Sequence, residues 1–214
     1  MTLSLPRLYA IVDATQLTQR AQRAARSPAE VTDSLLAAGV RLIQYRDKKS
    51  NARELYASVL TLAGHIQRAG GTLIMNDRAD VALATGADGV HVGQEDLPAA
   101  SARSILLPGK IIGLSTHSVA QVKAADQEQV DYIAFGPIFA TGSKEKPDPV
   151  VGLSGLAEAR KATQKPLVAI GGITLENARS VIDAGADSVA VISALLSAPD
   201  VGEQARKFLA VLGD

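Results

Sequence analysis

The sequence predicts one domain of eight parallel strands alternating with helices and closed into a barrel, the (β/α)8 or TIM-barrel class of α/β fold. Three observations predict it. Eight short apolar runs alternate with helical segments along 214 residues. The helix ends recur as a weak internal repeat: AAGV (37–40), RAGG (68–71), TGADGV (85–90) and DAGADSV (183–189), each followed by an apolar strand. Polar residues end nearly every strand, whereas an open doubly wound sheet, the alternative topology, would gather them near its switch point.

Taken in order, the first strand is Arg7–Asp13, apolar and ending in an acid. The polar segment Gln16–Arg26 is read as partly helical. Ser27, Pro28 and Glu30 open the next helix, with Ser at the cap, Pro in the first turn and Glu completing a capping box. Gly39 supplies its left-handed stop. Strand two is Val40–Tyr45; Asn51 and Glu54 open a helix that closes at Gly70-Gly71. Strand three is Thr72–Asn76, followed by a short helix around Asp80–Thr85 and strand four at Val90–Gly93. A helix near Pro98–Leu106 leads to strand five, Ile111–Ser115, and Ser118 with Gln121 caps the next helix. Strand six is Tyr132–Pro137, and the long Gly/Pro/Lys-rich loop Ile138–Val151 follows. A helix around Ser154–Ala162 leads to strand seven, Leu167–Ile170. Thr174 caps a helix ending at Ala184-Gly185, strand eight is Ser188–Ile192, and Asp200 with Glu203 opens the last helix. Residues 1–214 therefore read as a single domain.

Composition narrows the function. Hydrophobic residues make up 47% and aromatics only 3%, which suits an Ala, Val, Ile and Leu core of buried parallel strands. The 22 basic and 22 acidic side chains cancel, so the basic footprint of general nucleic-acid binding is missing. Absence of cysteine excludes disulfides, zinc thiolate sites and cysteine nucleophiles. With no membrane span or leader in the sequence, a cytoplasmic location is expected. An apolar barrel exterior would be compatible with a homodimer.

The chemistry gathers at strand ends. Asp77 and Asp96 follow adjacent strands, close enough to share a divalent ion; with oxygen ligands and no Cys, magnesium (Mg2+) is favoured over zinc. The other reading has Asp96 capping the helix at Pro98 and Asp77 paired with Arg78. Gln44, Arg46 and Lys48 alternate along the end of strand two and so project to one side, as a polyanion such as pyrophosphate requires. Tyr45 and Asp47 complete this candidate segment, with Asp47 pointing the other way. Lys144 sits in the loop after strand six, where a closing loop could cover a charged substrate. Gly171 and Gly172 after strand seven, with Ile192 and Ser193 after strand eight, lie at the usual phosphate position of barrel enzymes. Ser115 is read as a ligand contact, His117 as a supporting polar residue, and His91 as a satisfied histidine inside the barrel. The residues alone therefore point to a magnesium-dependent barrel with a pyrophosphate site and a monophosphate site.

The segments QYRDK (44–48), NDR (76–78), GADGVHVGQEDL (86–97), GLSTHS (113–118), DYIAFGPIFATGSK (131–144), VAIGGI (168–173) and VAVISALL (189–196) resemble the thiamine-phosphate synthase family. They cover the chain from Tyr9 to Leu196 in the family's order. The resemblance implies a transferase that condenses hydroxymethylpyrimidine diphosphate with a thiazole phosphate, giving thiamine phosphate and pyrophosphate through a pyrimidine cation. It implies that Gln44, Arg46, Lys48, Asn76, Ser115 and Lys144 hold the pyrimidine diphosphate and that Asp77 and Asp96 hold magnesium. It assigns Thr141, Gly142, Ser143, Gly172, Ile192 and Ser193 to the thiazole phosphate. One departure stands out: many relatives carry Thr-x-Thr, often with proline between, where this chain reads Thr141-Gly142-Ser143. A thiazole tautomerase of the same superfamily is the nearest rival, and a non-catalytic phosphate-ligand sensor the rival from another class. Arg78 is expected to orient neighbouring carboxylates.

Overall fold

The computed structural model describes residues 3–19, 26–142 and 148–213. The order is β1 (Leu8–Asp13), α1 (Ala14–Gln19), α2 (Pro28–Ala37), β2 (Leu42–Arg46), α3 (Ala52–Arg68), β3 (Thr72–Asn76), α4 (Ala79–Thr85), β4 (Gly89–Val92), α5 (Ala99–Ile105), β5 (Ile111–Thr116), α6 (Val119–Asp126), β6 (Tyr132–Phe135), α7 (Gly152–Lys161), β7 (Leu167–Ile170), α8 (Leu175–Asp183), β8 (Ser188–Val191), α9 (Ser193–Leu196) and α10 (Val201–Leu212). The strands pair in sequence order, all parallel, and β8 closes onto β1. The expected barrel is present.

Some of its helices start where their caps dictate. Ser27 Oγ accepts from Glu30 N at 3.2 Å, and the Glu30 carboxylate accepts from Ser27 N at 2.7 Å. Asn51 and Glu54 repeat this reciprocal arrangement at the head of α3. Each cap satisfies backbone donors that have no partner within the helix. Ser27→Ala is expected to cost about 1 kcal/mol. In a chain of this size that lowers the thermal midpoint by about 2–4 °C, measurable by calorimetry. Several strand boundaries shift by a residue, and two shift by two residues. β2 begins at Leu42 rather than Val40, and β6 stops at Phe135, ahead of Pro137, which has no N–H for a ladder. The four-residue α9 was not expected: strand eight was read to end at Ile192, with the next helix opening at Asp200.

Alternation along each strand makes two apolar layers. Leu8, Ala10 and Val12 face the helices, while Tyr9 and Ile11 face the barrel axis with Leu42, Ile74, Tyr132, Ala134, Val168 and Ala190. Leu3, Leu5 and Ile111 pack against this inner cluster. The same phase sends the polar ends of the strands inward, toward one mouth. Among the described residues no helix is long and apolar enough to cross a membrane.

Candidate active site

The mouth at the C-terminal ends of the strands opens into a cavity of about 1070 Å³, its open solvent included. Its floor is apolar, formed by Ile11, Ala134, Val168, Ile170 and Ala190, and its rim is polar.

From β2, Gln44 and Arg46 point inward and line the cavity. Tyr45, one residue out of phase, is buried between strands and helices. Its hydroxyl donates to Asp47 Oδ2 at 3.2 Å, and Asp47 Oδ1 accepts from the Lys49 and Ser50 amides. The structure thus does not bring the Tyr45 and Asp47 side chains to the cavity. The period-two alternation that aims Gln44 and Arg46 inward turns them away.

Arg46 forms an ion pair with Asp13, the inward-facing acid at the end of β1, which is only 2% exposed. Asp13 Oδ1 also accepts from Gln16 N at 2.9 Å, so the carboxylate that holds Arg46 is itself held. Lys48 Nζ lies 2.9 Å from Asp77 Oδ2. Asn76, ending β3, is buried and lines the cavity. Asp77 has φ +63°, and Arg78 N bonds back to Asn76 O at 2.8 Å. This tight turn ends the strand abruptly; Asp tolerates the left-handed region better than most residues do. The Asp96 carboxylate stands beside that of Asp77. Burial above all, with Asp96 adding to it, pushes Asp77 above the usual carboxylate range, against the opposing pull of Lys48. Asp96 Oδ2 also accepts from Gly93 N at 2.8 Å. Arg78 turns instead to Asp80, with bonds of 2.8 and 2.6 Å, so Asp80 is the carboxylate it orients.

Ser115 on β5 faces inward, and its Oγ lies 2.8 Å from His91 Nε2. His91 Nδ1 lies 2.9 Å from Tyr132 Oη, so both ring nitrogens are engaged. His117 follows β5. Its Nδ1 lies 2.6 Å from Gly136 O, which must accept, so that nitrogen carries a proton. Nε2 lies 3.6 Å from the Asp148 carboxylate. Thr141 lines the cavity and Gly142 is exposed. Ser143 and Lys144 lie outside the described residues.

After β7, Gly171 and Gly172 have φ of +101° and +65°. Their carbonyls are held by Phe139 N and by Asn177 Nδ2, each at 3.0 Å. No acceptor among the described residues takes either N–H. A Cβ at Gly172 would lie 2.6 Å from Ala140 O and 2.7 Å from Phe139 Cβ, so only glycine fits. Ile192 and Ser193 line the same wall, and Ser193 Oγ donates to Gln16 Oε1 at 3.1 Å.

Sequence reasoning missed four contributors. Asp13 was visible as a strand-terminal acid in phase with Tyr9 and Ile11. Tyr9 and Tyr132 read as ordinary core, and nothing local marks two tyrosines from opposite sides of a barrel as partners. Asp148 sits in a loop without periodicity.

A family model described as thiamine monophosphate synthase matches residues 8–195. A thiamine-phosphate synthase of Koribacter versatilis is 53% identical over 213 residues, covering 98% of this chain and 97% of that protein. One from Chloroflexus aurantiacus is 42% identical over 206 residues, covering 96% and 92%. Among solved structures, a thiamine phosphate pyrophosphorylase from Pyrococcus furiosus superposes with a TM-score of 0.86. Its sequence identity is 34%, over 97% of this chain and 95% of that one.

Proposed function

This chain belongs to the thiamine monophosphate synthase family, a family of transferases, and from that premise we propose how its cavity condenses hydroxymethylpyrimidine diphosphate with thiazole phosphate. The observation that carries the reading is one cavity with two anion-holding walls. One wall has Arg46; Lys48, outside the lining itself, pairs with Asp77, the neighbour of the lining residue Asn76. The other has the left-handed Gly171-Gly172 turn and Ser193. The first suits a diphosphate and the second a monophosphate.

The donor set at Asp77 and Asp96 fits magnesium. Two carboxylates from neighbouring strand ends stand near each other, no thiolate is present, and burial and like charge already disfavour ionisation of Asp77. Bound there, magnesium would supply positive charge beside the departing diphosphate.

The remaining chemistry belongs to side chains. The bond from the pyrimidine methylene carbon to the diphosphate oxygen breaks, and pyrophosphate leaves with the electron pair. Arg46, Lys48 and Lys144 stabilise that growing charge. The aminopyrimidine delocalises the methylene cation, and the thiazole nitrogen forms the new C–N bond. Gln44, Asn76 and Ser115 orient the pyrimidine. Thr141, Gly142, Ser143, Gly172, Ile192 and Ser193 orient the thiazole phosphate, so proximity replaces a general base. The apolar floor keeps water from the cation.

Omit-one assays of pyrophosphate release test this: release should require both substrates and stop when EDTA is added. Release with the pyrimidine diphosphate alone at the full rate would contradict it. Gly172→Ala should raise KM for the thiazole phosphate at least about tenfold, since alanine at that φ is disfavoured by about 1–2 kcal/mol and its Cβ would also press on Ala140 O and Phe139 Cβ. KM for the pyrimidine diphosphate should not change. Equal changes in both constants would remove Gly172 from the thiazole site.

A further inference from the structure

A hydrogen-bonded chain crosses the barrel beneath the cavity and ends on Ser115. Gln44 Nε2 donates to Tyr9 Oη at 2.9 Å, and Tyr9 Oη lies 2.9 Å from Tyr132 Oη. Tyr132 Oη lies 2.9 Å from His91 Nδ1, and His91 Nε2 lies 2.8 Å from Ser115 Oγ.

The first link sets the direction of the rest. An amide nitrogen only donates, so Tyr9 Oη accepts from Gln44. Tyr9 is 1% exposed, and among the described residues Tyr132 Oη is the acceptor available to its proton. The Tyr132 proton therefore goes to His91 Nδ1. With Nδ1 accepting, neutral His91 carries its proton on Nε2 and donates to Ser115 Oγ. The Ser115 proton is left to point into the cavity. Burial raises both tyrosines far above neutral pH, so both stay donors. The rings reinforce this order: His91 stacks on Tyr132 at 5.5 Å and 23°. A methyl group at Gly113 would overlap the Tyr132 ring and hydroxyl and crowd His91 Nδ1.

We propose that Tyr132 and His91 are positioning residues: they fix His91 as the Nε2–H tautomer and thereby commit the Ser115 hydroxyl to donate to the pyrimidine diphosphate. This rests on the reading of Ser115 as a contact of that substrate. A serine hydroxyl left to rotate would accept as readily as it donates. The chain removes that choice before substrate arrives.

Tyr132→Phe deletes one oxygen and keeps the ring. Its kcat should fall about tenfold, the effect of one oriented hydrogen bond. KM for the thiazole phosphate should hold. Added to Ser115→Ala, Tyr132→Phe should cause no further loss, because both act through one hydroxyl. A wild-type kcat in Tyr132→Phe, or losses that multiply in the double variant, would overturn the proposal. Nitrogen-15 NMR of the wild-type protein adds a readout independent of turnover. His91 should be protonated at Nε2 and bare at Nδ1, and Tyr132→Phe should mix the tautomers. The opposite tautomer in the wild type overturns the chain itself. An Nε2–H His91 in a folded protein without turnover overturns the functional reading instead, and Ser115's substrate with it.

Discussion

Asp77→Asn should lower kcat at least about a hundredfold while leaving the thermal midpoint close to that of the wild type. The activity loss is the size expected when a group that stabilises transition-state charge is removed. Fold retention follows from the backbone. Asp77 sits at φ +63°, a region asparagine tolerates as well as aspartate, so the turn ending β3 survives. The Lys48 partner is half exposed and can be solvated. Rate measured against magnesium concentration, beside a calorimetric scan, separates the two effects. Wild-type rate and magnesium dependence in the variant would refute the metal assignment. Collapse of the midpoint would make Asp77 a structural residue instead.

Arg46→Ala should lose both activity and stability, for separable reasons. The guanidinium faces the proposed diphosphate, and its loss should lower kcat/KM by about a hundredfold or more. It also leaves Asp13 buried with its charge unpaired. Breaking a fully buried pair costs about 3–5 kcal/mol; Arg46 keeps some exposure, so roughly 2–3 kcal/mol is expected here. That corresponds to a fall of about 5–10 °C in the midpoint. Adding Asp13→Asn removes the stranded charge and should recover much of the stability. It should recover none of the activity. Recovery of both by the double variant would place Arg46 outside the chemistry.

Periodicity made most of the frame legible. Ser27 with Glu30 and Asn51 with Glu54 mark helix starts through local bonds, which a sequence displays directly. Gln44 and Arg46 turn inward as their spacing requires. The same alternation removes the Tyr45 and Asp47 side chains, which contiguity in QYRDK had grouped with them. What escaped is non-local. Asp13 meets Arg46 and Tyr9 meets Tyr132 only through the barrel's tertiary arrangement, the partners standing 33 and 123 positions apart in sequence. His91 was expected to be satisfied inside the barrel, and it is. Its partners, a tyrosine on one nitrogen and Ser115 on the other, turn a packing residue into a candidate orienting one. Of the loop motif, Thr141 lines the cavity, while Ser143 and Lys144 fall outside the described residues.

The most direct test mixes the purified protein with hydroxymethylpyrimidine diphosphate, thiazole phosphate and magnesium, and quantifies thiamine phosphate and pyrophosphate together. The account predicts both products in equal amounts. Folded protein that yields neither, or that only isomerises a thiazole carboxylate phosphate without magnesium, would contradict it.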